Sequence, residues 1–145
     1  MAMPYRMTDE FTSADLAFVA WGESIEALFT SAAGAVMEIM LEDPRALKRR
    51  EARELSLGNQ ELDLLLHDFL SELLFLKDAE SLLCAPESVK LSESPRGFEL
   101  CARLSGERID RSRHRFRVDV KAITMHRLSV ERTSSGWEAT VVLDV

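Results

Sequence analysis

Cysteine is scarce in this chain, with two among 145 residues, Cys84 and Cys101, and neither belongs to a Cys-x-x-Cys motif. The three histidines, His67, His114 and His126, do not stand at zinc-finger spacing either. A cysteine–histidine zinc module is therefore excluded. Both cysteines sit among aliphatic residues on strand-like segments, which predicts buried reduced thiols, with a disulfide as the alternative. No apolar stretch reaches the roughly 18 uninterrupted residues a membrane-spanning helix requires. The segment Met1-Ala2-Met3-Pro4-Tyr5-Arg6 lacks a secretory hydrophobic region. The expectation is a cytoplasmic protein with no membrane partner. Basic residues are in deficit, 18 against 25 acids, for a net charge of −7. That balance argues against strong direct nucleic-acid binding, which depends on Lys and Arg displacing counterions, and suits a basic protein surface better. Arg111, Arg113, His114, Arg115 and Arg117 nevertheless crowd one stretch, readable as a solvated face or as a local dock for phosphate or an acidic partner.

Motifs of familiar chemistry are missing as well. There is no Gly-x-Ser-x-Gly elbow, and neither a Gly-x-x-x-x-Gly-Lys-Ser/Thr loop nor a Gly-x-Gly-x-x-Gly fingerprint occurs. His67-Asp68 reads as a structural histidine beside an acid, since adjacent helical residues do not face each other. Glu72, set among leucines, needs a structural partner.

What the chain does contain is a 46% apolar fraction, enough for one domain over residues 1–145. The run from Leu16 to Gly22 is strand-like. Ile25, Leu28, Phe29, Ala32, Val36, Ile39 and Met40 then recur at helical spacing. Ser24 is the expected N-cap, and Glu42-Asp43-Pro44 ends the helix. A charged link, Arg45 to Arg53, leads to a short strand around Glu54–Leu57. Gly58-Asn59 breaks the chain, with Asn59 as cap of a second helix rich in leucine from Leu62 to Leu76. Beyond Leu82, period-2 runs predict a hairpin about Ser94-Pro95-Arg96-Gly97, a strand from Arg115 to Thr124, and a final hairpin about Ser134-Ser135-Gly136. The class is α+β, mostly antiparallel sheets packed on two helices.

Acid placement suggests a site. The run from Gly136 to Val145 reads as a strand that carries the Asp144 side chain and the α-carboxylate of Val145 to nearly one place. Carboxylates so close repel unless a cation lies between them. Asp15 opens the first strand-like run. If the fold brings it to the last strand, an all-oxygen site for a hard cation such as Ca²⁺ results.

Four segments, in order, resemble the archease family. Phe11-Thr12-Ser13-Ala14-Asp15 through Gly22 is similar to its N-terminal signature, and Leu64 through Phe75 to its leucine-rich helix. Val120-Lys121-Ala122-Ile123-Thr124-Met125-His126 is similar to its "VKA-T-H" strand, and Gly136 through Val145 to its closing strand. The likeness spans about residue 5 to Val145. It implies a non-enzymatic protein cofactor of an RtcB-type RNA ligase, which seals RNA ends in tRNA splicing and RNA repair using GTP and divalent metal. Archeases promote formation of the ligase–guanylate intermediate and multiple turnover. By this resemblance Asp15, Asp144 and Val145 are the Ca²⁺ ligands, and Lys121 is the strand lysine that acts on the partner. One departure stands out: many archeases have His-Thr-Ala-Asp where this chain has Thr12-Ser13-Ala14-Asp15. Thr12 can donate or accept a hydrogen bond but cannot carry positive charge.

Two other readings of the residues remain. One is a small metal-dependent hydrolase built on Asp15 and Asp144 with Lys121 stabilising charge, although no general base accompanies the carboxylates. The other is a chaperone-like binding module using an apolar groove beside the leucine-rich helix.

Overall fold

The computed structural model describes residues 4–8 and 15–145. Its first strand, β1 (Tyr5–Thr8), is one the sequence pattern did not predict. It pairs antiparallel with β2 (Asp15–Gly22). Ser24 then accepts a hydrogen bond from the Ala27 amide and caps α1 (Ile25–Met40), as its hydroxyl and position lead one to expect. A 3-10 turn at Pro44–Ala46 follows the helix.

The strand expected around Glu54–Leu57 is longer, β3 (Glu51–Asn59), so the charged link before it is shorter than its composition suggests. Asn59 is not the cap of the second helix. It closes β3, and its side-chain oxygen accepts from the Glu61 amide just ahead of α2 (Leu62–Glu80), whose cap position is Glu61. Along α2, Leu65, Leu66, Phe69, Leu70, Leu73, Leu74 and Leu76 are all buried. Leu66 has no exposed surface, so Leu66→Ala should cost about 2–5 kcal/mol by lost burial and an incompletely collapsed cavity. Equilibrium urea unfolding measures this; a loss near zero would mean that the position repacks freely.

The strands β4 (Leu82–Ser94) and β5 (Gly97–Arg108) form the expected hairpin, with Ser94 opposite Gly97 and a positive φ of 124° at Gly97. With β3 they make a three-stranded antiparallel sheet in the order β3-β5-β4. Gly106 of β5 lies hard against the backbone of β4: a Cβ there would overlap the Leu83 carbonyl and reach 2.9 Å from Cys84 Cα.

The chain ends in β6 (Ala122–Ile123), β7 (Ser129–Thr133) and β8 (Gly136–Asp144). Strand β8 lies inside the larger sheet, between β2 on one side and β6 and β7 in succession on the other. The long strand expected from Arg115 to Thr124 is thus reduced to two residues. Its alternation of burial persists, with Phe116, Val118, Val120 and Ala122 more covered than Arg117, Asp119 and Lys121. The backbone groups, however, find different partners along the way. The Glu42 amide donates to the Arg115 carbonyl, Arg117 N–H donates to the Met40 carbonyl, and Lys77 takes the Val120 carbonyl. Period-2 burial without one continuous neighbour gives an extended segment rather than a ladder.

Helix α1 packs on β1, β2 and β8 of the larger sheet and on β4 of the smaller one, α2 on β3, β4, β5, β6 and β7, and the helices meet where the Phe29 and Phe69 rings lie 5.7 Å apart. One apolar core runs through both sheets and both helices. Antiparallel sheets on two helices make this an α+β fold. Among the described residues no helix is long and apolar enough to cross a membrane. Both thiols are free; Cys84 is buried, but Cys101 is exposed, contrary to expectation. Strand alternation explains it, because Leu100 and Ala102 on either side take the core face.

Candidate functional site

The antiparallel register of β2 on β8 sets Asp15 directly opposite Asp144. Directly opposed residues present their side chains on the same face, and two like charges there destabilise the pair. On the other side of β8, Ala122 is the partner of Asp144, and the Lys121 amide donates to the Asp144 carbonyl at 2.8 Å. Val145 follows directly, half-buried and packed against the core. The fold therefore gathers Asp15, Asp144, Val145 and Lys121 into one corner of the larger sheet. Lys121 itself is exposed. Among the described residues no three His, Cys, Asp or Glu side chains cluster in a metal-holding arrangement. Among the described residues two side-chain carboxylates stand opposite each other here, Asp15 and Asp144, with Val145 at the next position along the chain. The oxygen-only donor set suits a hard cation. Thr12 lies outside the described residues.

The segment carrying Lys121 is fastened by α2 through residues whose roles the sequence left unseen. Lys77 is 6% exposed. Its ammonium donates to Asp119 Oδ1 at 2.6 Å and to the Val120 carbonyl at 3.2 Å, and pairs with Asp78 at 2.9 Å. Burial is the largest influence on its pKa and pulls it down, but the hydrogen bonds to Asp119 and Asp78 outweigh this and leave it raised. Lys77 thus stays charged at neutral pH. His67 is satisfied, as a structural histidine should be: Nε2–H donates to the Ile123 carbonyl at 2.9 Å. Its Nδ1 lies 3.2 Å from Asp68 Oδ1, so these sequence neighbours do meet, contrary to expectation. Asn59 holds the other Asp68 oxygen at 3.2 Å. No sequence signal marked Lys77, because its partner lies in a segment distant along the chain. Glu72 is half-buried and, among the described residues, has no hydrogen-bond or ion-pair partner, so the structural pairing expected for it is absent.

The arginine-rich stretch divides. Glu107, 4% exposed, receives Arg113 at 2.6 Å, His114 Nε2–H at 2.7 Å and the Lys48 amide at 3.1 Å. The Asp110 amide donates to His114 Nδ1, which fixes the ring hydrogen on Nε2. Arg113 above all, against opposing burial, with His114 and the Lys48 amide, holds the Glu107 pKa down to about 2. Arg111 lies over the Phe116 ring at 4.9 Å, and Arg117 donates to the Glu42 carbonyl. Part of the basic stretch is therefore internal structure, neither a purely solvated face nor an open dock. Burial likewise pushes the Cys84 thiol up to about 11, which leaves it a poor nucleophile at neutral pH.

Residues 5–145 match the Archease protein family (MTH1598/TM1083). Protein archease of Pyrococcus abyssi is 32% identical over 134 residues, covering 92% of this chain and 94% of that protein. Protein archease of Methanosarcina mazei is 34% identical, covering 92% and 91%. The solution structure of Methanobacterium thermoautotrophicum protein 1598 superimposes with a TM-score of 0.85 at 30% identity, over 99% of this chain and 100% of that one. The crystal structure of an archease, possible chaperone, from Thermotoga maritima shares the fold, with a TM-score of 0.60 at 20% identity over 97% and 98%. With its α+β architecture matched along nearly its full length, the chain belongs to the Archease protein family.

Proposed function

We propose that this protein is a non-enzymatic activator of an RtcB-type RNA ligase, promoting ligase guanylylation and repeated turnover in tRNA splicing or RNA repair. Family membership supports the partner class. The observation that carries the reading is the direct opposition of Asp15 and Asp144, with Lys121 bonded to the Asp144 carbonyl. In this proposal Asp15, Asp144 and the Val145 carboxylate hold Ca²⁺ or another hard divalent cation, which would relieve the repulsion between the opposed acids. The exposed Lys121 offers its ammonium to a carboxylate or a nucleotide phosphate at the ligase surface. RNA enters only through the ligase.

A guanylylation assay of a matching ligase, with and without this protein, tests the reading. Wild type should stimulate formation of the ligase–guanylate intermediate. Lys121→Ala should lose most of the stimulation while keeping the wild-type melting temperature, since a solvent-facing lysine adds little stability. Calorimetry should detect Ca²⁺ binding to wild type and its loss in Asp144→Asn. Equal Ca²⁺ binding by both proteins would sink the metal site. Full stimulation by Lys121→Ala would remove that residue from the activating surface. Turnover of a phosphoester by the isolated protein would favour a hydrolase instead.

A further inference from the structure

Lys121 sits in a segment with little strand structure of its own, between Asp119 and Ile123, both of which are held from one helix. Lys77 and His67 lie about three helical turns apart on α2. Lys77 binds the Asp119 carboxylate and the Val120 carbonyl, just before Lys121. His67 binds the Ile123 carbonyl, just after it. Between these two points the Lys121 amide meets the Asp144 carbonyl, and beyond them Thr124 donates its N–H and hydroxyl to the Val142 carbonyl at 3.0 Å each. A two-residue β6 cannot by itself fix where the Lys121 side chain leaves the surface. The grips from α2 supply the restraint that a ladder would have supplied.

We propose that Lys77 and His67 are positioning residues: they clamp the segment from Asp119 to Thr124 against β8 and so set the direction in which Lys121 is presented. The use of that lysine on a ligase rests on the function proposed above; the clamp does not. Burying a charged lysine has a desolvation cost that an apolar side chain would avoid. A role in shaping the surface accounts for spending it at this place.

Hydrogen exchange of the whole protein tests the clamp without any ligase. Lys77→Met keeps the buried aliphatic stem, and it leaves Asp78 and Asp119 in solvent, where their side chains are 59% and 68% exposed. Exchange of the Lys121 and Thr124 amides should accelerate by about tenfold or more, while the Phe18 and Val141 amides in the middle of the larger sheet stay at the wild-type rate. Asp119→Ala, which leaves the Lys77 ammonium paired with Asp78 at 2.9 Å, should release the same two amides, and combining it with Lys77→Met should add little. His67→Ala should also release Thr124, and His67→Gln, which keeps a donor near Nε2, should restore it. In the guanylylation assay Lys77→Met should raise the concentration giving half-maximal stimulation while preserving the maximum, unlike Lys121→Ala, which lowers the maximum. Unchanged Lys121 exchange in both Lys77→Met and Asp119→Ala would overturn the clamp, and so would uniform acceleration across the sheet. A normal response of the ligase to Lys121→Ala, with exchange behaving as described, would overturn the activator role of Lys121 and leave the clamp standing.

Discussion

Gly106→Ala is expected to destabilise the protein by more than about 4 kcal/mol, a loss reserved for a few mechanisms such as forced backbone displacement. Gly106 pairs with Cys84 across the hairpin, and an added Cβ would overlap the Leu83 carbonyl and lie 2.6 Å from its carbon. The obstacle is backbone on a neighbouring strand, so no side-chain rotation relieves it. Strand β5 is the middle strand of its sheet, and its displacement would be felt by β3 as well. Gly58→Ala makes the matched control, because its Cβ would find the Phe98 carbonyl at an ordinary 3.6 Å. That variant should lie within about 1 kcal/mol of wild type. Urea unfolding of the two proteins decides the matter, and equal stabilities would show that β4 can move aside at little cost.

Glu107→Ala should lose about 3 kcal/mol, the lower end of the range for breaking a buried ion pair. The lower end applies because Arg113, 38% exposed, can turn to solvent, whereas His114 Nε2–H, on a side chain 3% exposed, cannot. Glu107→Gln should cost less, because its amide oxygen still accepts one hydrogen bond. The same carboxylate gives the stability a pH dependence. Its pKa is near 4.5 when unfolded and about 2 when folded, so its contribution is complete above about pH 4.5 and disappears as the pH falls toward 2. Thermal unfolding of wild type and Glu107→Gln between pH 2 and 6 should therefore show a melting-temperature gap that narrows with acidification. A constant gap would contradict the depressed pKa.

Much of this architecture is legible in the residues themselves. The leucines of α2 specify a buried helix, Ser24 specifies a cap, and the two hairpins are marked by turn residues between alternating runs. The meeting of Asp15 and Asp144 was readable because each stands at the end of a strand-like run. From Arg115 to Thr124 the alternation predicts a strand and the structure forms little of one, for a physical reason: alternation reports which side chains are covered, and it does not report what receives the backbone hydrogen bonds. Here they go to α1, to Lys77 and to β8 in turn. Lys77 and Glu107 were invisible for a related reason, since a charged residue becomes buried only when partners remote in sequence satisfy it. Strand β1 is short and edge-placed, with too few residues for a period to show.

The pairing of β2 with β8 joins segments separated by nearly the whole length of the chain. Contacts of such high sequence separation carry the greatest loop-closure cost and form slowly. The acidic corner cannot be assembled from a half-built chain, because Asp15 meets no Asp144 until β8 has docked between its neighbours. Any partner that reads Asp15, Asp144 and Lys121 together is consequently blind to folding intermediates lacking β8. In kinetic terms the corner is a record of completed folding, and a protein caught before that step would compete for nothing at this surface.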